Sequence, residues 1–259
     1  NVQLAHDKDE LQRNKERVES LLSALASREV AQQFLQSNEE LGFEGNEAEA
    51  TILFADIRGF TPMCERLSTE EVFELLNTYF ARMRAVIDRY EGTILKFMGD
   101  ALMASWNVPA PLDLHAARAV YAGIDMQREI RAINKEREAA GKEPLQVGIG
   151  INTGKVMLGA IGTRERFDFT VIGDAVNTAQ RIESITPAQH LHVSQSTWEQ
   201  VKDYIEVVAR DPVTLKGKEH PVSIYAVLHR SRTPAHFRTR EERAGSDDTV
   251  RITNKEPKK

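Results

Sequence analysis

The stretch Thr51-Ile52-Leu53-Phe54-Ala55-Asp56-Ile57 is apolar at almost every position and carries a single carboxylate near its end. A strand with one wet face alternates polar and apolar residues, whereas a strand covered on both faces does not. The segment therefore predicts a strand in the middle of a sheet. Downstream, Ser68 and Glu71 form the S-x-x-E pattern of a capping box that opens a helix. Val72, Leu75, Leu76, Tyr79, Phe80, Met83, Val86 and Ile87 make one apolar stripe along that helix, which is expected to stop near Gly92. Thr93–Met98 and Ala101–Trp106 read as two short strands joined by Gly99-Asp100, a hairpin signal. Asp113 is expected to cap a second long helix reaching Gly141. Leu145–Ile151 follows as a strand, with Asn152-Thr153-Gly154 turning the chain.

That order, β-α-β-β-α-β, predicts an α+β fold with a ferredoxin-like core. A C-terminal extension is expected to add a strand at 167–172, a helix from about 175 to 184, a strand at 191–194 and a closing hairpin near 213–228. Residues 47–230 thus read as the globular domain. Ahead of it, residues 1–46 are charged, and Leu4, Leu11, Val18 and Leu25 recur every seven residues with Asp7, Asn14 and Leu21 between them. This seam fits a dimeric coiled coil, in which polar core positions fix register, or else a single solvated helix. Residues 231–259 are polar, lack apolar periodicity and read as a disordered tail.

Composition narrows the function. Hydrophobic residues make up 41% of the 259-residue chain, enough for a packed core. The net charge of −5 argues against a general nucleic-acid binder, which would show a basic face. The one cysteine, Cys64, forms no internal disulfide and supplies no zinc cluster, so a reducing, cytoplasmic setting is expected. No apolar run is long enough to span a bilayer. The start at Asn1 suggests a piece of a longer protein.

The topology also places chemistry. In a split β-α-β arrangement, the C-terminal end of the first strand and the hairpin between the second and third lie at the same edge of the sheet. Asp56 occupies the first place and Asp100 the second. Neighbouring strands are about 4.8 Å apart, so the two carboxylates can share metal ions. Hard oxygen ligands suit magnesium or manganese, and two such ions can clamp both the attacking and the leaving oxygen of a phosphoryl displacement.

With that pair in view, FADIRGFT (54–61), KFMGDALMA (96–104) and FTVIGDAVNTAQR (169–181) together resemble the catalytic domain of class III nucleotidyl cyclases, the adenylate and guanylate cyclase family. The resemblance covers nearly all of 47–230. It implies the class III cyclase fold and a site formed between two subunits, with a homodimer holding two equivalent sites. It further implies two Mg2+ or Mn2+ ions per site on Asp56, Asp100 and the main-chain carbonyl of Ile57. By the same resemblance Lys96 and Thr170 select the purine, while Asn177 and Arg181 orient the ribose and stabilise charge on the transferring phosphate. Lys216, with Lys218 as an alternative, reaches the outer phosphates.

Chemistry speaks to the base. Adenine offers an acceptor at N1 and a donor amino group at C6, and guanine offers the reverse. Lysine only donates and a threonine hydroxyl can accept, so Lys96 with Thr170 suits adenine. The expected reaction is attack of the ribose 3′-oxygen of ATP on its own α-phosphorus, giving cyclic AMP and pyrophosphate. The proton goes to Asp56, to water or to substrate phosphate. A guanylate cyclase and a catalytically silent dimerisation domain are the alternatives. The expected partners are ATP, a second copy of the chain and an upstream sensor domain, with no nucleic acid.

Overall fold

The computed structural model describes residues 45–163, 167–214 and 221–234, together with Phe237 and Thr239. The heptad segment through residue 44 lies outside them, as do Lys216 and Lys218. The first strand, β1 (Asn46–Ile57), is followed by a short helix α1 (Phe60–Cys64), the long helix α2 (Thr69–Arg89), β2 (Thr93–Met98) and β3 (Ala101–Trp106). Helix α3 (His115–Ala139), β4 (Val147–Gly162), β5 (Phe167–Ile172) and α4 (Asp174–Ile185) come next. The chain continues through β6 (Leu191–Ser194), α5 (Gln195–Val201), β7 (Ile205–Ala209) and β8 (Ile224–Arg230).

One sheet results, in the order β2-β3-β1-β4-β6-β8-β7, with β5 paired to β4 off the main path. The β2-β3-β1-β4 portion is the expected ferredoxin-like core. β1 pairs antiparallel with β3 from Thr51↔Trp106 to Ala55↔Leu102, and with β4 from Asn46↔Leu158 to Ile57↔Val147. Its side chains alternate between two apolar clusters. Leu53, Ala55 and Ile57 face the layer of α2 and α3, where Tyr79, Met83, Ile87, Met126 and Ile130 are buried. Ala50, Ile52 and Phe54 face the other layer, with Val156, Leu158, Val171, Ala175 and Ala179 of β4, β5 and α4. Each large apolar side chain so buried contributes roughly 1.5–3 kcal/mol, so both faces of β1 hold it in register.

The capping box at Ser68 forms in full: the Ser68 hydroxyl accepts from Glu71 N at 3.2 Å, and Ser68 N donates to the Glu71 carboxylate at 2.8 Å. At the far end Glu91, rather than glycine, takes the left-handed conformation (φ 59°). Gly92 is required for space, because a Cβ there would lie 2.5 Å from the Trp106 ring.

Three local expectations are corrected. Asp113 does not cap α3; Leu114 does, in a left-handed conformation (φ 56°) that leaves Asp113 one residue short of the first turn. Asn152-Thr153-Gly154 does not turn the chain, because their polar groups find partners inside a continuing strand. Asn152 Nδ2 donates to Ala175 O at 2.9 Å, and Thr153 Oγ1 lies 2.8 Å from Thr51 Oγ1 and 3.0 Å from Thr197 Oγ1. The closing hairpin begins earlier than expected, at Ile205, with a single Val213↔Val222 bridge in its connection. Past Ser231, Phe237 packs against Tyr121 at 5.0 Å between ring centroids, under the Arg118 guanidinium at 4.9 Å.

His192 of β6 is buried, and neither ring nitrogen has a hydrogen-bond partner among the described residues. Burial, with Arg210 and His190 adding to it, pushes its pKa down from 6.5 to about 4. A histidine held neutral in the fold contributes stability above the unfolded value that is lost as pH falls through the folded one. His192→Leu should therefore lose less stability than wild type between pH 6.5 and pH 4 in urea unfolding. Equal losses would show that this ring plays no part in acid sensitivity.

Candidate functional site

The edge where β1 ends is built by two local devices. The β2–β3 hairpin closes at Met98↔Ala101 through the two-residue turn Gly99-Asp100, with Gly99 at φ 65°. A first turn residue at positive φ matches the twist of the strands, and glycine reaches it without steric cost. The β1–β3 register, continued two pairs past Ala55↔Leu102, sets Asp100 opposite Ile57 and next to Asp56. The Asp100 carboxyl meets both the Asp56 side chain and the Ile57 backbone N–H.

The two carboxylates crowd each other. Burial first, then the negative charge of Asp56, push the Asp100 pKa up to about 6, against the pull of the backbone amides. Beneath them the buried Tyr79 hydroxyl of α2 has no hydrogen-bond partner among the described residues. Its pKa is raised well above the ordinary phenol value by burial, and then by Asp56, Asp100 and Glu183. Such an edge fits a divalent cation: two hard carboxylate donors repel each other until positive charge comes between them. Among the described residues no three His, Cys, Asp or Glu side chains are placed to hold a metal ion by themselves, so further ligands would come from main chain, water or substrate.

Arg58, directly after β1, joins this edge to α4. Its Nη1 lies 3.3 Å from Asp56 Oδ2, and its Nη2 lies 2.6 Å from Glu183 Oε1. Nη2 also donates to the carbonyl oxygens of Glu183 and of Thr186, the latter at 2.9 Å. Burial raises the Glu183 pKa to about 7, with Arg58 opposing the rise and the charges of Asp56 and Asp100 adding to it. Neither Arg58 nor Glu183 stands out in the sequence as a site residue. Arg58 stands inside the FADIRGFT motif, but nothing in its spacing signals a contact with a helix 125 residues away.

The remaining predicted residues form separate groups. Lys96 of β2 reaches Asp168 of β5, with Nζ 2.8 Å from Oδ2. Thr170 lies on the same strand, opposite Gly159 of β4. Asn177 and Arg181 stand four residues apart on α4, and the Arg181 guanidinium has no hydrogen-bond or ion-pair partner among the described residues. No hydrogen bond or ion pair joins Asp56 or Asp100 to Lys96, Thr170, Asn177 or Arg181 among the described residues. A cleft of about 480 Å³ lies elsewhere, at the start of α4, lined by Asn152, Lys155, Asp174, Thr178, Ser196 and Val222. It contains none of the predicted residues, so the carboxylate edge, not the cleft, marks the candidate site.

Comparison with known proteins gives this geometry a context. The model of the adenylate and guanylate cyclase catalytic domain family matches residues 44–229. An adenylate cyclase of Anabaena cylindrica is 38% identical over 186 residues, covering 68% of this chain and 36% of that protein. Among solved structures, the guanylyl cyclase Cya2 is 39% identical at a TM-score of 0.70, over 75% of this chain and 98% of the other. The adenylyl cyclase CyaB from P. aeruginosa is 34% identical, also at 0.70, over 75% and 99%. The chain spans about a third of the length of the first curated relatives it matches.

Replacing Asp100 with Asn removes one of two crowded charges. Asp100→Asn should be more stable than wild type at pH 8 without divalent ions, since a carboxylate raised in the fold costs stability once pH rises past its folded pKa. Excess Mn2+ should stabilise wild type and leave the variant unchanged in thermal unfolding. Equal responses to Mn2+ would remove Asp100 from any metal site.

Proposed function

The chain belongs to the class III adenylate and guanylate cyclase family, and from that premise we propose that it converts ATP to 3′,5′-cyclic AMP and pyrophosphate in intracellular signalling. The observation that carries the reading is the pairing of Asp56 with Asp100 on one sheet edge, where their repulsion makes a seat for positive charge. Two Mg2+ or Mn2+ ions, held by Asp56, Asp100 and the Ile57 carbonyl, would supply Lewis acidity toward the 3′-hydroxyl and the phosphates.

The chain's own residues do the rest. Lys96 donates to adenine N1 and the Thr170 hydroxyl accepts from the 6-amino group. Releasing Lys96 from Asp168 costs little, since exposed ion pairs are worth about 0–1 kcal/mol. Asn177 holds the ribose so that its 3′-oxygen faces the α-phosphorus, an orientation that removes entropy from the barrier. The new O–P bond forms as the bond to the β-phosphate oxygen breaks, and pyrophosphate leaves with its electron pair. Arg181 donates to the equatorial oxygens as charge builds on them. Lys216 or Lys218 contacts the outer phosphates. The 3′-proton passes to Asp56, to water or to substrate phosphate.

The site is read as shared between two copies. Within one chain no hydrogen bond or ion pair joins the metal edge to Asn177 or Arg181 among the described residues, and the exposed apolar side chains Phe97, Met157, Ile161 and Ile172 offer a surface for a second copy. An upstream sensor fits a chain that spans about a third of its relatives' length. No helix among the described residues is long and apolar enough to cross a membrane.

A guanylate reading also has an observation in its favour: Lys96 with Asp168 is a donor beside an acceptor, matching guanine O6 and N1–H. Purified protein with Mn2+, given ATP and GTP separately, decides between them. Cyclic AMP from ATP alone is the expected product, with Lys96→Ala lowering kcat/KM for ATP on the order of ten- to a hundredfold, the worth of a charged hydrogen bond. Cyclic GMP from GTP would overturn the base assignment. No product from either would place a silent dimerisation domain first.

A further inference from the structure

Arg58 makes more contacts than a surface arginine needs. All three guanidinium nitrogens are engaged: Nη1 with Asp56 Oδ2, Nη2 with Glu183 Oε1 and the Glu183 and Thr186 carbonyl oxygens, and Nε with Thr186 O at 3.3 Å. The backbone fixes its base, since Arg58 N donates to Gln146 O at 2.6 Å and extends the β1–β4 ladder by one step. Two glycines of β4 make room for the arrangement. A Cβ at Gly148 would lie 2.5 Å from Arg58 Nη2 and 2.8 Å from Thr186 O, and one at Gly150 would lie 2.5 Å from Glu183 Cα. The carbonyls it grips close the C-terminal end of α4, where a helix favours a cation.

We infer that Arg58 is a positioning residue that ties the carboxylate of Asp56 to the last turn of α4, so that one guanidinium sets both the metal edge and the helix carrying Asn177 and Arg181. The inference deepens the cyclase reading and rests on it for the roles of those residues. In a dimer with shared sites, Asp56 serves one site and α4 of the same chain serves the other. Arg58 therefore links the two sites through a single side chain. Its fork shape is what the link needs, because a lysine has the charge but only one nitrogen to share among Asp56, Glu183 and Thr186.

The test separates charge from shape. Mn2+ binding is measured directly, by the electron paramagnetic resonance of free Mn2+, on wild type, Arg58→Lys, Arg58→Ala and Glu183→Gln. Kinetic constants for the cyclase reaction and thermal unfolding are measured beside it. Arg58→Lys should bind Mn2+ like wild type yet lose on the order of tenfold or more in kcat, with KM for nucleotide within about threefold. Arg58→Ala, lacking a cation beside Asp56, should bind Mn2+ more tightly and lose kcat at least as much. Glu183→Gln, which leaves the guanidinium to Asp56, should bind Mn2+ more weakly. Wild-type kcat in a folded Arg58→Lys overturns the inference. If an arginine variant does not fold, Glu183→Gln decides: unchanged Mn2+ binding and kcat in a folded protein refutes the tie. If wild type itself makes no cyclic nucleotide, the cyclase reading fails, and the opposite Mn2+ shifts of Arg58→Ala and Glu183→Gln still test the tie to Asp56.

Discussion

β1 is hydrogen-bonded along both edges and covered on both faces, and the position of the carboxylate edge follows from that constraint. A slip of one residue would reverse which side chains meet α2 and α3 and which meet α4, and would carry Asp56 away from the hairpin tip. Thr51 adds a polar lock, its hydroxyl lying 2.8 Å from Thr153 Oγ1 and 2.8 Å from His115 Nδ1. The strand thus ends at one defined place, and the β2–β3 turn delivers Asp100 to it. The carboxylate edge is a consequence of register, not of a flexible loop.

Electrostatics then shapes what that edge can do. Asp56, Asp100 and Glu183 gather negative charge over the buried Tyr79 hydroxyl, with Arg58 as the cation that contacts Asp56 and Glu183. Burial makes each unneutralised carboxylate costly, which is why Asp100 and Glu183 titrate far above the usual range. An active site holds such tension where charge is to be met by a ligand. The close approach of α4 to β4, permitted by Gly148 and Gly150, brings the far helix into the same network.

Much of this was legible in the sequence where a pattern has a period or a fixed offset. The unbroken apolar run of β1, the stripe of α2, the Ser68–Glu71 box and the Gly99-Asp100 turn all signal locally, and Asp56 and Asp100 meet as the topology predicts. Local signals failed where long-range partners overrode them. Asn152-Thr153-Gly154 looks like a turn, but a strand accommodates it because Thr51, Ala175 and Thr197 satisfy its polar atoms. Asp113 looks like a cap, but the left-handed Leu114 displaces it. Arg58 and Glu183 were illegible, since their meeting depends on two glycines letting a helix sink onto a sheet. The pairing of Lys96 with Asp168 was equally hidden, as only the β4–β5 extension folding back brings them together.

The central claim is that each site takes its metal edge from one copy and its nucleotide-orienting helix from the other. Subunit complementation tests it most directly. Asp100→Ala and Arg181→Ala chains, each inactive alone, are mixed and assayed for cyclic nucleotide formation. With sites shared across the interface, a mixed dimer pairs the intact half of each chain in one site, and random exchange should restore about a quarter of wild-type activity. Mixtures as inactive as either variant alone, with exchange of subunits verified, would contradict the shared site and place all the chemistry within one chain.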